Sequence, residues 1–213
     1  MDALFGMLAG GLRVLESDGR LTPEAAAPER LADAAALFVV DLEMSGSNPR
    51  MHEVLDLGGV RATIAPGLPE QQAWGARVKP RHIGNAELGA LKVVGYSPRA
   101  WKDALELEAA FDRFGELGRD AVISGWGIGQ DMAFLVESLQ RLGRSWPFAL
   151  VALDVQPIAR GILKEGHVDR FNLGHVADRL GIGRMGEHGA LADAYATYDV
   201  LVKLLERAAG AAP

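Results

Sequence analysis

The chain has 213 residues, 49% hydrophobic and 23% charged, enough for one substantial core and without the bias of a disordered segment. It contains no cysteine, which excludes disulfides and thiolate metal sites and leaves oxygen or imidazole ligands for any metal, favouring Mg2+ or Mn2+ over a structural zinc. The formal charge of −6 argues against a broad basic surface that coats nucleic acid, while allowing a local site for a chain end.

The opening stretch MDALFGMLAGGLRVLESDG carries an acid at position 2, no basic n-region, and an apolar run broken by Gly10, Gly11 and Arg13. It matches neither a signal peptide nor a membrane span, so the expectation is a cytoplasmic protein with no membrane partner. Residues 1–35 read as a helical N-terminal extension. Leu4, Leu8, Leu12 and Leu15 form a stripe, Asp18 and Gly19 stop it, and LTPEAAAPERLADAAA resumes with prolines near helix starts. Packing or self-association is the ordinary role of such helices, and contact with a polymerase is the other partner considered.

From residue 36 to 210 the pattern is that of one α/β domain. LFVVDLE, EVLDLGGVRATI and QAWGARVK read as three successive strands, followed by helices around Asn85 to Leu91 and Trp101 to Leu117. Then come a strand, DAVISGW, a helix, QDMAFLVESLQRLG, a strand, FALVALDV, and a long C-terminal helix, ADAYATYDVLVKLLERA. Three strands in a row and then strands alternating with helices predict a mixed five-stranded sheet, antiparallel on one side and parallel on the other, flanked by helices.

Acids interrupt these apolar patterns. Asp41 and Glu43 are two apart on the first strand, so their side chains leave the same face. Two charges ~4 Å apart at an effective dielectric of ~20 repel by about 4 kcal/mol. A cation, protonation, water or an arginine must compensate. Asp131 opens a helix just after the strand AVISGW, on a side close to the apolar face of Leu135, Leu139 and Leu142. Asp193 opens the last helix, and His188 precedes it by five residues in a loop containing Gly183, Gly186 and Gly189. Taken singly, each has an ordinary explanation: a solvated strand edge, a helix cap, a surface histidine.

Taken in order, DLEMSGSNPRMHEVLDLGGV, GQDMAFL and HGALADAYATYDVL resemble the three motifs of the DEDDh 3′ to 5′ exonucleases, the superfamily of proofreading exonuclease subunits and oligoribonucleases. The resemblance runs from about Leu37 to Glu206, with Asp41, Glu43, Asp131, His188 and Asp193 at the five defining positions. DLEMSG is close to the oligoribonuclease form, whereas VALDVQPIARGIL and LGHVADRLGI are similar to the proofreading branch. The second motif departs from the usual pattern, with Trp126-Gly127 where His-Asn is common and Gln130 where Phe is common; Asp56 stands where Glu is usual.

The resemblance implies a ribonuclease-H-like fold and two divalent ions, Mg2+ or Mn2+, held by Asp41, Glu43, Asp131 and Asp193, with His188 as general base. It implies single-stranded DNA or RNA 3′ ends as partners and nucleoside 5′-monophosphates as products. Met44 and Ser45 correspond to the stretch that holds the terminal nucleotide. RVKPRH and KVVGYSPRAWK offer Arg77, Lys79, Arg81, Lys92, Arg99 and Lys102 for phosphates, and Tyr96 and Trp101 for base stacking, with a solvated loop and two packing aromatics as the equally ordinary reading. The rival expectations are a non-catalytic module of the same fold that binds a nucleic-acid end or a polymerase, and a phosphodiesterase of small nucleotides.

Overall fold

The computed structural model describes residues 12–13, 31–163, 171–183 and 189–210. A central sheet is built from β2 (Ala36–Met44), β3 (Val54–Thr63), β4 (Glu70–Arg77), β5 (Val122–Gly125) and β6 (Val151–Asp154). β2, β3 and β4 form an antiparallel meander, β5 runs parallel to β2, and β6 runs parallel to β5. A two-residue strand β1 (Leu12–Arg13) pairs antiparallel with β6, giving six strands in the order β1-β6-β5-β2-β3-β4. The mixed sheet expected from the sequence is present, with this short edge pairing added.

β2 is central, and its apolar run faces two helical layers. Phe38, Val40 and Leu42 pack with Phe114 and Ala110 of α2 (Leu107–Leu117) and with Phe134, Leu135 and Leu139 of α3 (Gly129–Leu142). Leu37 lies on the other face, in the core shared with α4 (Val155–Leu163), α5 (Leu173–Arg179) and Leu201 and Leu204 of α6 (Ala190–Gly210). Burial on both faces is why the sequence reads FVV without alternation until Asp41.

Four expectations need correction. Leu12 and Arg13 form strand, not helix; the rest of the proposed leucine stripe lies outside the described residues. The helix expected from Asn85 is α1 (Leu88–Val94). The helix expected from Trp101 starts only at Leu107, because Leu105 donates to the Arg77 carbonyl and accepts from the Lys79 N–H, which holds the preceding backbone extended. FALVALDV is strand only over Val151–Asp154, since Val155 already opens α4. Two helices were missed. α4 carries Pro157 in its first turn, where a missing N–H costs nothing, and α5 is capped by Asn172, whose Oδ1 accepts from the His175 N–H at 2.9 Å. Among the described residues no helix is long and apolar enough to cross a membrane.

Candidate active site

The site forms where the carboxyl end of β2 meets the first turns of α3 and α6. Asp41 lies opposite Gly58 of β3, and Glu43 lies opposite Asp56. Gly58 in turn pairs with Gly75 of β4. A Cβ on Gly58 would run into the backbone of Ala190 and Leu191, and one on Gly75 would meet the Leu191 side chain. The two glycines therefore form a saddle that lets the start of α6 sit directly on the sheet. Asp56 Oδ2 accepts from the Ala190 N–H at 3.4 Å and places a carboxylate at the positive end of that helix. Asp193, in the first turn of α6, is thereby brought to the two strand acids. Oxygens of Asp41, Glu43 and Asp193 all lie within 4.8 Å of one another.

Asp131 arrives from the opposite side. It is 8% exposed, and its Oδ1 accepts from the Leu42 N–H at 3.0 Å. β5 pairs with β2 only as far as Val39, so the carboxylate takes the place of a strand partner that is no longer there. Asp131 adjoins the three-acid group without belonging to it at that distance.

The electrostatics are those of acids gathered close together. Burial, then Asp131, Asp193, Glu43 and Asp56, holds the Asp41 carboxyl well above the usual range. Glu43 is pushed up to about 7 by burial, then by Asp193 and Asp56. Burial raises Asp131 to about 7 against the N–H groups that lower it, with Glu43 and Asp154 adding repulsion. Arg77 acts on Asp56, whose carboxyl is nonetheless raised, chiefly by burial. A cluster of partly buried hard oxygen donors that repel one another fits a divalent cation, and such an ion would remove the repulsion that the sequence left unexplained.

The remaining expected site residues divide. His188 lies outside the described residues; Gly189 and Ala190 connect that position to α6. Met44 ends β2 beside the acids and is partly buried. Ser45 is 2% exposed, with its polar groups engaged inside the loop: its N–H donates to the Glu53 carbonyl, its Oγ accepts from the Glu53 N–H, and its carbonyl accepts from the Glu87 N–H. It shapes the loop, and its backbone N–H is already taken. Trp101 is 5% exposed, donates Nε1–H to the Leu55 carbonyl, and is covered by Arg77 at 4.5 Å and by Tyr96 at 5.1 Å between centroids. It is a packing residue with no open face for a base, and Tyr96 is packed against it.

Sequence reasoning missed the ties of the 44–53 loop. Glu87 Oε1 accepts from the N–H and Oγ of Ser47, Gln130 Nε2 donates to the Ser47 carbonyl at 2.9 Å, and Arg141 donates to the Pro49 carbonyl at 2.8 Å. Gln130 was visible only as a departure from the usual motif. Its amide now has a structural partner. Trp126, the other departure, stacks on Phe171.

The sequence model of a family described as Exonuclease matches residues 38–201. A Mycobacterium tuberculosis protein named as a bifunctional exonuclease/endonuclease is 26% identical over 175 residues, covering 79% of this chain and 26% of that protein. The DNA polymerase III subunit epsilon of Aquifex aeolicus is 25% identical over 168 residues, covering 79% of each chain. E. coli exonuclease I, solved in complex with a dT13 oligonucleotide, superposes with a TM-score of 0.67 at 18% identity, covering 81% of this chain and 41% of that one. At that identity the likeness is one of fold, and the chain spans well under half of exonuclease I and of the Mycobacterium protein.

Proposed function

The chain belongs to the exonuclease family, and on that basis we propose that it is a metal-dependent 3′ to 5′ exonuclease that cleaves terminal phosphodiesters of single-stranded nucleic acid and releases nucleoside 5′-monophosphates. The observation that carries this reading is the convergence of Asp41, Glu43 and Asp193 within 4.8 Å, in a setting where each further acid adds repulsion. The E. coli fold relative bound to a dT13 strand and the polymerase III epsilon relative supply the substrate class by analogy.

Asp41, Glu43 and Asp193 would hold one divalent ion, Mg2+ or Mn2+, and Asp131 with Asp41 a second. Such a pair supplies, when bound, Lewis-acid activation of water and neutralisation of charge on the departing 3′ oxygen. His188, one residue before Gly189, would accept the proton of the attacking water through its neutral imidazole. Met44 would pack against the terminal base, on a loop whose shape is held by Ser45, Glu87 and Gln130.

The test is a 5′-labelled oligonucleotide, DNA or RNA, with either a free or a phosphorylated 3′ end, sampled over time in Mn2+. A 3′ phosphate adds bulk and roughly −1.5 to −2 charges beside the acids, so a ladder shortening from the free end alone is expected. Internal cleavage at equal rates in both strands would overturn the exonuclease reading, and binding without cleavage would favour the non-catalytic module.

A further inference from the structure

A cavity of about 460 Å3 opens on the outer side of the 44–53 loop, between the segment after β4, the start of α2 and the end of α3. Four cations line it, Arg50, Lys79, Arg81 and Arg141, with Glu53 among the lining residues and Glu106, Glu108 and Glu137 paired to three of the cations. The chain as a whole carries −6. The lining is therefore richer in cations than the chain as a whole, with the acids that balance them set at its rim.

The arrangement is built rather than incidental. Glu53 accepts from the backbone N–H groups of Arg81 and His82, which pins the segment that presents Lys79 and Arg81. Arg141 is fixed by the carbonyls of Pro49 and His52 as well as by Glu137, so part of its hydrogen bonding goes to neutral oxygens. Lys79 and Arg81 pair with Glu106 and Glu108, but both pairs are about half exposed. Water screens exposed pairs of this kind, so an incoming phosphate can replace the carboxylates at little cost. Leu107 and Leu142 supply apolar lining beside the cations.

We propose that this cavity is a phosphate-binding station for the single strand on its way to the acids. The inference rests on the exonuclease reading and names the surface that holds the strand away from the scissile bond. Arg141 follows Asp131 by ten residues on α3, about 15 Å along an ideal helix. At ~3.4 Å per phosphate in a stacked strand, this corresponds to roughly four nucleotides. Of the basic residues that the sequence suggested for phosphate contact, Lys79 and Arg81 reach the cavity, whereas Arg77 covers Trp101 instead. Arg50 and Arg141 come from distant segments and were not recognisable as their companions.

The experiment is fluorescence anisotropy of a labelled 12-nucleotide strand with the full chain in EDTA, so that nothing is cleaved, over a range of NaCl. Arg50→Ala and Lys79→Ala are the variants, because both side chains lie at the surface; Arg141 also holds the loop and is left intact. Lys203→Ala, on the exposed side of α6, is the control. Each cavity variant should reduce the slope of log affinity against log salt by about 0.7, and the double variant by about 1.4, with a several-fold loss of affinity at low salt. The control should change neither. An unchanged slope in the double variant, an equal change in the control, or no binding by the wild type would overturn the station. If the slopes fall as expected but Mn2+ supports no cleavage, the station stands and the exonuclease reading fails.

Discussion

Leu42 and Asp131 are 89 positions apart, yet the backbone N–H of Leu42 donates to Oδ1 of Asp131 at 3.0 Å. The bond fixes the start of α3 to the strand that carries Asp41 and Glu43. It also means that Asp131 has two separable jobs, as acceptor and as charge.

Asp131→Asn keeps an oxygen for Leu42 and removes the charge, whereas Asp131→Ala leaves a buried N–H without a partner. The alanine variant should be about 1–3 kcal/mol less stable than the asparagine variant. The asparagine variant should melt in EDTA at or above the wild-type temperature, because a carboxyl raised to about 7 by burial is no longer present. Both should lose most of their nuclease activity. Equal melting temperatures for the two variants would show that the Leu42 bond does not stabilise the fold.

The glycine saddle makes a second prediction. Gly58→Ala places a Cβ in the backbone of Ala190 and Leu191, which no rotamer change relieves. The start of α6 must lift, at a cost of about 1–3 kcal/mol, and Asp193 moves with it. Calorimetric titration with Mn2+ should show weakened binding. Gly84→Ala, where nothing lies within 4 Å, is the control and should bind as the wild type does. Unaltered metal affinity in Gly58→Ala would separate α6 from the metal site.

The contrast between these positions shows what the sequence made legible. The first strand was readable because burial on both faces removes alternation, and the intruding Asp41 and Glu43 then stood out. α6 was readable from a long periodic pattern. Gly58 and Gly75 were not, because their role is an absence of side chain opposite a helix more than 110 residues away. Trp101 was open to two readings for a similar reason. Its indole looks like a stacking platform until the Leu55 carbonyl and the Arg77 guanidinium are seen to occupy it. α4 and α5 were too short, at nine and seven residues, to show a period above their flanking turns.

A third prediction follows from the raised carboxyls. Folded Glu43 and Asp131 hold their protons up to about 7, above their ordinary values of 4.5 and 3.8. Between those limits the folded chain binds more protons than the unfolded one, so stability falls as pH rises. In EDTA these groups should lower the melting temperature from about pH 4.5 to about pH 7. Saturating Mn2+ should oppose or reverse that trend, since metal ligands must be deprotonated and binding stabilises the folded state. Parallel pH profiles with and without Mn2+ would count against an assembled site at these acids.

The last prediction concerns Gln130, the residue that departs from the usual motif. Its side-chain amide holds the Ser47 carbonyl on one side of the loop while Glu87 holds the Ser47 N–H and hydroxyl on the other. Neither Ser47 nor Glu87 belongs to the three-acid group, and the tie acts on the loop that follows Met44. Gln130 is exposed, and losing one exposed hydrogen bond of about 0.5–1.5 kcal/mol should leave the melting temperature nearly unchanged. The same loss, taken from the order of the loop, corresponds to a rise in KM of roughly 2- to 12-fold, with kcat held within about two-fold. Gln130→Glu should behave like Gln130→Ala or worse, because a carboxylate facing the Ser47 carbonyl cannot donate and repels it. Steady-state kinetics on a short single strand would decide the matter: a fall in kcat at constant KM in Gln130→Ala would place Gln130 with the chemistry and remove its role in holding the loop.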